Sequence, residues 1–448
     1  MPGTVSLEDN PLFDAVSLAF KRAMEYLHKH KGYKPDMLSD GPLRGLMEAT
    51  HGTLAEPLQK LSVSQEIPPE LTATLDENIF WFSGFKTHHE LVEASRLLKD
   101  SSGGFKPFEQ FMREVRAIDN TYNRNYLQAE YNFATASTQM AVKWKEWEKD
   151  GDRYDLQYRT AGDNRVREEH AALDGTTLPP SDPFWNHYLP PNGWNCRCTT
   201  VQVRKGKYPR SDSKEAIARG QACTAKPKQQ IFRFNPGKQE KIFPPKHPYF
   251  PKGCGDCKYK QLSYDPKNPN CQACKAIQKC IDRAPLLAKV TVKEYKNGGK
   301  VEAYSIIDKT TDDYKRIEKA ASKFAREGKV VVITPKFDSP QNCPDYDVIY
   351  GSLKGTEYYG KCPDFKVGET WYEHEGFTTA KPKRAFRNMM TNGLIQCDRL
   401  VIEDPGLTKR YMQRSIGERI KRGENIKEIW IKKGSDLELL YPKNTDGQ

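Results

Sequence analysis

Apolar residues recur at helical spacing through the first third of the chain. Phe13, Val16, Phe20, Met24 and Leu27 fall on one face of a predicted helix over 11–30, because residues three and four apart share a helix face. A longer stripe follows from Lys106 to Asp150. Phe108, Phe111, Val115, Ile118, Tyr122 and Tyr126 repeat at three and four and continue towards Trp144 and Trp147, which predicts a long amphipathic helix or a hairpin of two. These aromatics read as a packing stripe of a helical bundle. After Gly151 the pattern breaks into polar, turn-rich segments whose Pro and Gly forbid long regular elements. Residues 205–253 show no sustained period and read as a linker rich in Lys, Pro and Gly. From Val290 onward the period alternates. VTVKEY, KVVVIT, YDVIYG, TWYEHEGF, RLVIED and EIWIKKG read as strands, and 312–327, 383–394 and 408–422 read as helices, the signature of a small α/β domain.

This pattern predicts a multidomain α+β protein with a mainly helical first part, a cysteine-containing connector and a C-terminal α/β domain. A length of 448 residues supports two or three domains at about 100–200 residues each. The expected boundaries are a helical segment 1–60, a domain 61–204, a basic linker 205–253, a Cys-rich segment 254–284 and a C-terminal domain 285–448. Charge adds one feature. Of the net +12, residues 201–260 supply most, with 15 Lys/Arg against 4 Asp/Glu. Such a stretch can meet phosphates or an acidic partner, or simply solvate a linker. No run of about 18 apolar residues offers a membrane span, and the N-terminus lacks a secretory pattern. The expected location is the cytoplasm of the producing cell until the protein is packaged or delivered.

All eleven cysteines lie after residue 195, and Cys254, Cys257, Cys271 and Cys274 form C-x2-C-x13-C-x2-C. Paired thiolates at this spacing suit one tetrahedral zinc. The expectation is a structural zinc connector, with Cys280 close by as a substitute ligand.

Residues 158–198 read YRTAGDNRVREEHAALDGTTLPPSDPFWNHYLPPNGWNCRC. Asp163 is placed to cap a helix carrying Arg165 to Leu173, and Asp174-Gly175 suits a turn. His170, His187, Cys196 and Cys198 offer zinc-type ligands, against the default of a packed CRC. The segment resembles the Mu-type phage head-morphogenesis family. That signature is an AGD-x-RVR-x-x-H-x-x-LDG run followed by a tryptophan (Trp185), the PPNGW turn 190–194 and Cys196-Arg197-Cys198. The resemblance extends loosely over 60–205. It implies a minor head protein of a phage or prophage virion that works with portal and head proteins and catalyses nothing in this half.

In the C-terminal domain, Pro363-Asp364 is followed by Glu373 and Glu375 on a predicted strand. Alternation puts both glutamates on one face with Trp371, and Tyr372 and His374 on the other. Three carboxylates from neighbouring strands suit one or two hard cations, Mg²⁺ or Mn²⁺, that activate water. The pattern resembles a PD-(D/E)-x-K nuclease core with Glu375 in the lysine position, which leaves Lys383 or a second metal to contribute. The continuation, a helix leading through Gln396 into a strand, resembles the C-terminal toxin domain of CdiA-type proteins over about 340–442. That resemblance implies a tRNA nuclease, with Asp364, Glu373, Glu375, Lys383 and Gln396 as site residues and an immunity partner. Two alternatives stand beside it. One is a metal-independent RNase of the barnase, colicin or EndoU type using His374; the other is a purely structural or interaction domain.

Overall fold

The computed structural model describes residues 11–251, 267–337, 340, 343, 345–376, 381–434 and 436–442. Cys254 and Cys257 lie outside them. The chain divides into two compact units, residues 1–281 and 282–448.

The first unit opens with α1 (Pro11–His30), α2 (Gly41–Ser64), α3 (Pro69–Arg96), α4 (Phe108–Asp119) and α5 (Leu127–Asp150). Each member of the α1 stripe, Phe13 to Leu27, is buried as its spacing requires. The 106–150 pattern resolves as one continuous helical run, not a hairpin. A π-helical segment, Asn120–Tyr126, joins α4 to α5. Widening the helix there frees backbone and side chains for a buried polar network. Lys86 Nζ donates to the Tyr122 carbonyl at 2.7 Å and to Glu130 at 2.6 Å, and Asn123 donates to Glu90 at 2.6 Å.

Short elements follow: β1 (Tyr154–Arg159), α6 (Glu168–Ala171), β2 (Thr177–Leu178), α7 (Phe184–Tyr188), β3 (Thr199–Arg204), α8 (Ser213–Cys223), α9 (Pro236–Gln239) and α10 (Pro269–Arg283). The strands form an antiparallel sheet in the order β2-β1-β3. Leu156, Tyr158, Leu173, Leu178, Phe184, Trp185 and Ala216 close a second core beside Trp144 and Trp147. Asp163 does not cap a helix. It accepts from Arg165 N in a local turn and takes both Arg197 guanidinium nitrogens. Only four residues of the expected helix form.

The described part of the expected linker, residues 205–251, is not loose. Phe232, Phe234, Ile242, Phe243 and Tyr249 are buried in the core of the helical bundle. Phe243 stacks on Phe82 at 3.6 Å, and Asn78 accepts from the backbone N–H groups of Ile242 and Phe243. These aromatics are spaced irregularly because they pack from turns and one-turn helices, so no period betrays them.

The second unit is an eight-stranded sheet, β4 (Lys289–Glu294), β5 (Lys300–Tyr304), β6 (Val330–Ile333), β7 (Phe365–Val367), β8 (Thr370–Glu375), β9 (Arg399–Glu403), β10 (Glu428–Lys433) and β11 (Asp436–Tyr441), in sequential spatial order. Pairings β5–β6, β8–β9 and β9–β10 are parallel, and the others are antiparallel. Strands β5, β6, β8, β9 and β10 therefore all point one way. Helix α11 (Asp312–Arg326) covers one face; α12 (Tyr346–Tyr350), α13 (Pro382–Gln396) and α14 (Lys409–Lys421) cover the other. Alternation along β9 shows the layering. Val401 enters the core with α11, and Leu400 and Ile402 enter the core with α13 and α14. The predicted strand YDVIYG is instead α12. One helical turn stacks Tyr346 on Tyr350 and lets their hydroxyls donate to the carbonyls of Lys361 and Pro335, bonds that outweigh the β-branched propensity.

Candidate functional sites

Two clusters carry chemistry, one in each unit. In the first, α6 brings His170, and the turn before β3 brings Cys196 and Cys198. The Cys196 and Cys198 sulfurs each lie 3.5 Å from His170 Nδ1, and the three ligand atoms lie within 4.8 Å of one another. Cys223, the last residue of α8, is 1% exposed and near enough to influence the charge of the same imidazole, but it lies outside the 4.8 Å group. His187, expected here, lies on the exposed side of α7 and is not part of the group. No sequence spacing points to Cys223, because 24 residues separate it from Cys198. Burial opposes an imidazolium, but the Cys196 and Cys223 thiols outweigh it and raise His170 to about 9. The hydrogen bond from Cys198, followed by His170, holds the Cys196 thiol well below its usual range despite burial. Arg165, Arg167 and Arg197 line the adjoining cleft of about 270 Å³.

In the second unit, Asp364 immediately precedes β7, and Glu373 and Glu375 lie on β8, the strand paired with it. The Asp364 N–H donates to Glu373 at 3.0 Å, and Asp364 Oδ2 accepts from the His374 N–H at 2.9 Å. The positive partner is Lys336, just beyond β6, whose Nζ stands 3.0 Å from Asp364 Oδ1. Asp313, in the first turn of α11, lies 3.9 Å from the same ammonium. All these groups cluster where the parallel strands end, the edge at which open α/β sheets commonly bind ligands. Burial, then Asp364, raises Glu373 well above the carboxylate range. Burial and Asp364 also lift Glu375 to about 7. Burial opposes the Lys336 charge, yet Asp364 and Glu373 override it and hold the ammonium protonated.

The other expected site residues are placed differently. Lys383 is exposed on α13, its ammonium over the Tyr411 ring. Gln396 accepts from the Cys362 N–H at 3.2 Å and so fixes the approach to Pro363-Asp364. His374 faces the opposite side, 3.1 Å from Glu403, which also takes Lys432 at 2.6 Å. Cys271 and Cys274 lie one helical turn apart on α10, both half-buried. Oxygen donors suit a hard cation. The carboxylates are nonetheless looser than the sulfur cluster: among the described residues, His170, Cys196 and Cys198 are the one His/Cys/Asp/Glu group gathered within 4.8 Å. No helix among the described residues is long and apolar enough to cross a membrane.

Comparison with known proteins bears on the first unit. Residues 104–201 match the family model described as phage Mu protein F like protein. Protein F of Escherichia phage Mu, whose name assigns it to capsid assembly, is 39% identical over 69 residues, 15% of this chain and 16% of that protein. The Mu-like prophage FluMu F protein of Haemophilus influenzae is 44% identical over 41 residues, 9% of this chain and 10% of that protein. The aligned stretches thus span under a fifth of these relatives. No solved structure matches the chain. The matched segment runs from just before α4 into β3 and holds His170, Cys196 and Cys198, and over residues 104–201 the chain is similar to the phage Mu F-like family.

Proposed function

We propose that this chain is a minor head protein of a phage or prophage, whose first unit joins portal and head proteins during capsid assembly and whose second unit is a nuclease effector. The Mu F-like match over 104–201 carries the first half of this reading. It is tested by co-expressing residues 1–281 with the cognate portal and head proteins. Incorporation into proheads is expected, and incorporation by residues 282–448 alone would reverse the division of labour.

The second half rests on Asp364, Glu373, Glu375 and Lys336 meeting at the carboxyl ends of parallel strands. Glu373 and Glu375 would hold Mg²⁺ or Mn²⁺, which when bound supplies an activated water and charge stabilisation for phosphodiester hydrolysis. Asp364 positions the hairpin through its bonds to Lys336 and His374 N–H. Lys336, in place of Lys383, offers the ammonium that a scissile phosphate requires. tRNA is the proposed substrate, and an immunity protein is the partner that such an effector needs in its producer. His374 is committed to Glu403 and Lys432, which weighs against the metal-independent reading. A zinc on Cys254, Cys257, Cys271 and Cys274 stays part of the proposal for the connector. Incubating residues 282–448 with total tRNA, with and without chelator, decides the case. Cleavage lost in chelator is expected. Cleavage that persists points to metal-independent chemistry, and no cleavage of any nucleic acid favours an interaction domain.

A further inference from the structure

We propose that His170, Cys196, Cys198 and Cys223 bind one structural zinc ion as a Cys3His site that staples the Mu F-like domain to the helix following it. Geometry carries the case for His170, Cys196 and Cys198, whose ligand atoms lie within 4.8 Å of one another; Cys223, buried at the end of α8, is the fourth ligand that closes on the bound ion. With Zn–N of about 2.0–2.1 Å and Zn–S of about 2.3 Å, tetrahedral coordination places the nitrogen and each sulfur roughly 3.5–3.6 Å apart. The Cys196 and Cys198 sulfurs both lie 3.5 Å from Nδ1. Without an ion the same arrangement is poorly satisfied, since one imidazole nitrogen has a single hydrogen-bonding site to share between two sulfurs. An ion at the centre replaces that conflict with bonds to every donor.

Three further observations agree. The donors are soft thiolates and an imidazole, which select zinc over the hard cations proposed for the second unit. All four are buried, at 2%, 9%, 8% and 1% exposure, and four protein ligands leave no open position, the mark of a structural rather than catalytic centre. Three thiolates around a divalent ion leave one net negative charge, and Arg165, Arg167 and Arg197 stand along the same cleft to offset it. The surrounding chain needs such a staple. Helix α6 has four residues, and the ligands join it to the turn before β3 and to the end of α8, segments with few backbone bonds to one another.

The test must separate this site from the connector cysteines, so it uses the full-length chain carrying Cys271→Ser and Cys274→Ser. Elemental analysis of that protein should find one zinc per chain, and cobalt(II) substitution should give the intense absorption of a tetrahedral thiolate site. Adding Cys223→Ala should remove the ion, and Cys223→His should retain it with weaker charge-transfer absorption. Far-ultraviolet circular dichroism reports whether each variant folds. Absence of zinc from the folded double variant would overturn the site. Full retention after Cys223→Ala would overturn the four-ligand assignment. If Cys223→Ala fails to fold, Cys223→His decides: a folded His variant without metal rejects the site. None of these readouts depends on nuclease activity or head assembly.

Discussion

At the scale of single residues, buried carboxylates set the behaviour of both units. Glu90 sits in the bundle with one oxygen taken by Asn123 and the other without a partner. Burial, only partly offset by Lys86 and Asn123, raises it from 4.5 to about 8. The folded state therefore holds a proton that the unfolded chain gives up. The stability this contributes is fully present below about pH 4.5 and is lost as pH rises through about 8, at up to roughly 1.4 kcal/mol per pH unit. Glu90→Gln, which keeps the shape without the charge, should flatten the fall in melting temperature of residues 1–281 between about pH 5 and pH 8; parallel slopes for the two proteins would reject this role. In the second unit, Glu373→Ala should lower the proposed tRNA cleavage by roughly a hundredfold or more, and Lys336→Ala should do likewise. Lys383→Ala should leave the rate unchanged, since its ammonium lies over Tyr411.

Among elements, close approach decides which positions tolerate change. Gly220 lets α8 lie against α7: a Cβ there would meet the Tyr188 ring at 2.6 Å. Gly220→Ala should destabilise the first unit by about 1–3 kcal/mol, as overpacking does, and displace Cys223 at the helix end. Gly417 on α14 is the converse, with nothing within 4 Å of an added Cβ. Gly417→Ala should stabilise the second unit by about 0.5–1 kcal/mol through helix propensity alone. Calorimetry of the two variants checks the signs, and equal shifts would contradict the packing described. The Lys86–Glu130 pair joins α3 to α5 with both side chains buried. Breaking it with Lys86→Ala leaves an uncompensated buried charge and should cost about 3–5 kcal/mol.

For the molecule as a whole, the unit boundary near 281 fixes where the chain can be cut. A truncation after residue 204 removes Phe232, Phe234, Ile242, Phe243 and Tyr249 from the bundle core and uncovers the Phe82 and Phe133 rings they pack against. Residues 1–204 should aggregate on expression and residues 1–281 should stay folded, as size-exclusion chromatography would show. The opposite result would mean that the basic stretch is dispensable after all. Residues 282–448 keep cores on both faces of their sheet and should fold alone.

Local sequence determined what local physics controls. The stripes of α1 and of 108–150 are legible because one helix face meets one core, and the sheet strands β4, β6, β8, β9 and β10 because their β-branched runs are bounded by turns. The ordered signature over 158–198 identified the Mu F-like segment, and the spacing of Glu373 and Glu375 placed them on one strand face. Tertiary structure alone decided the rest. Cys223 is brought near His170 from 25 positions beyond Cys198, and Lys336 reaches Asp364 from the end of another strand; no spacing rule links residues brought together by sheet order or helix packing. YDVIYG became a helix because Tyr346 and Tyr350 find carbonyls and each other only in the assembled core. The irregular aromatics of 232–249 likewise show their purpose only once the bundle they cover exists, since burial belongs to the fold and not to the segment.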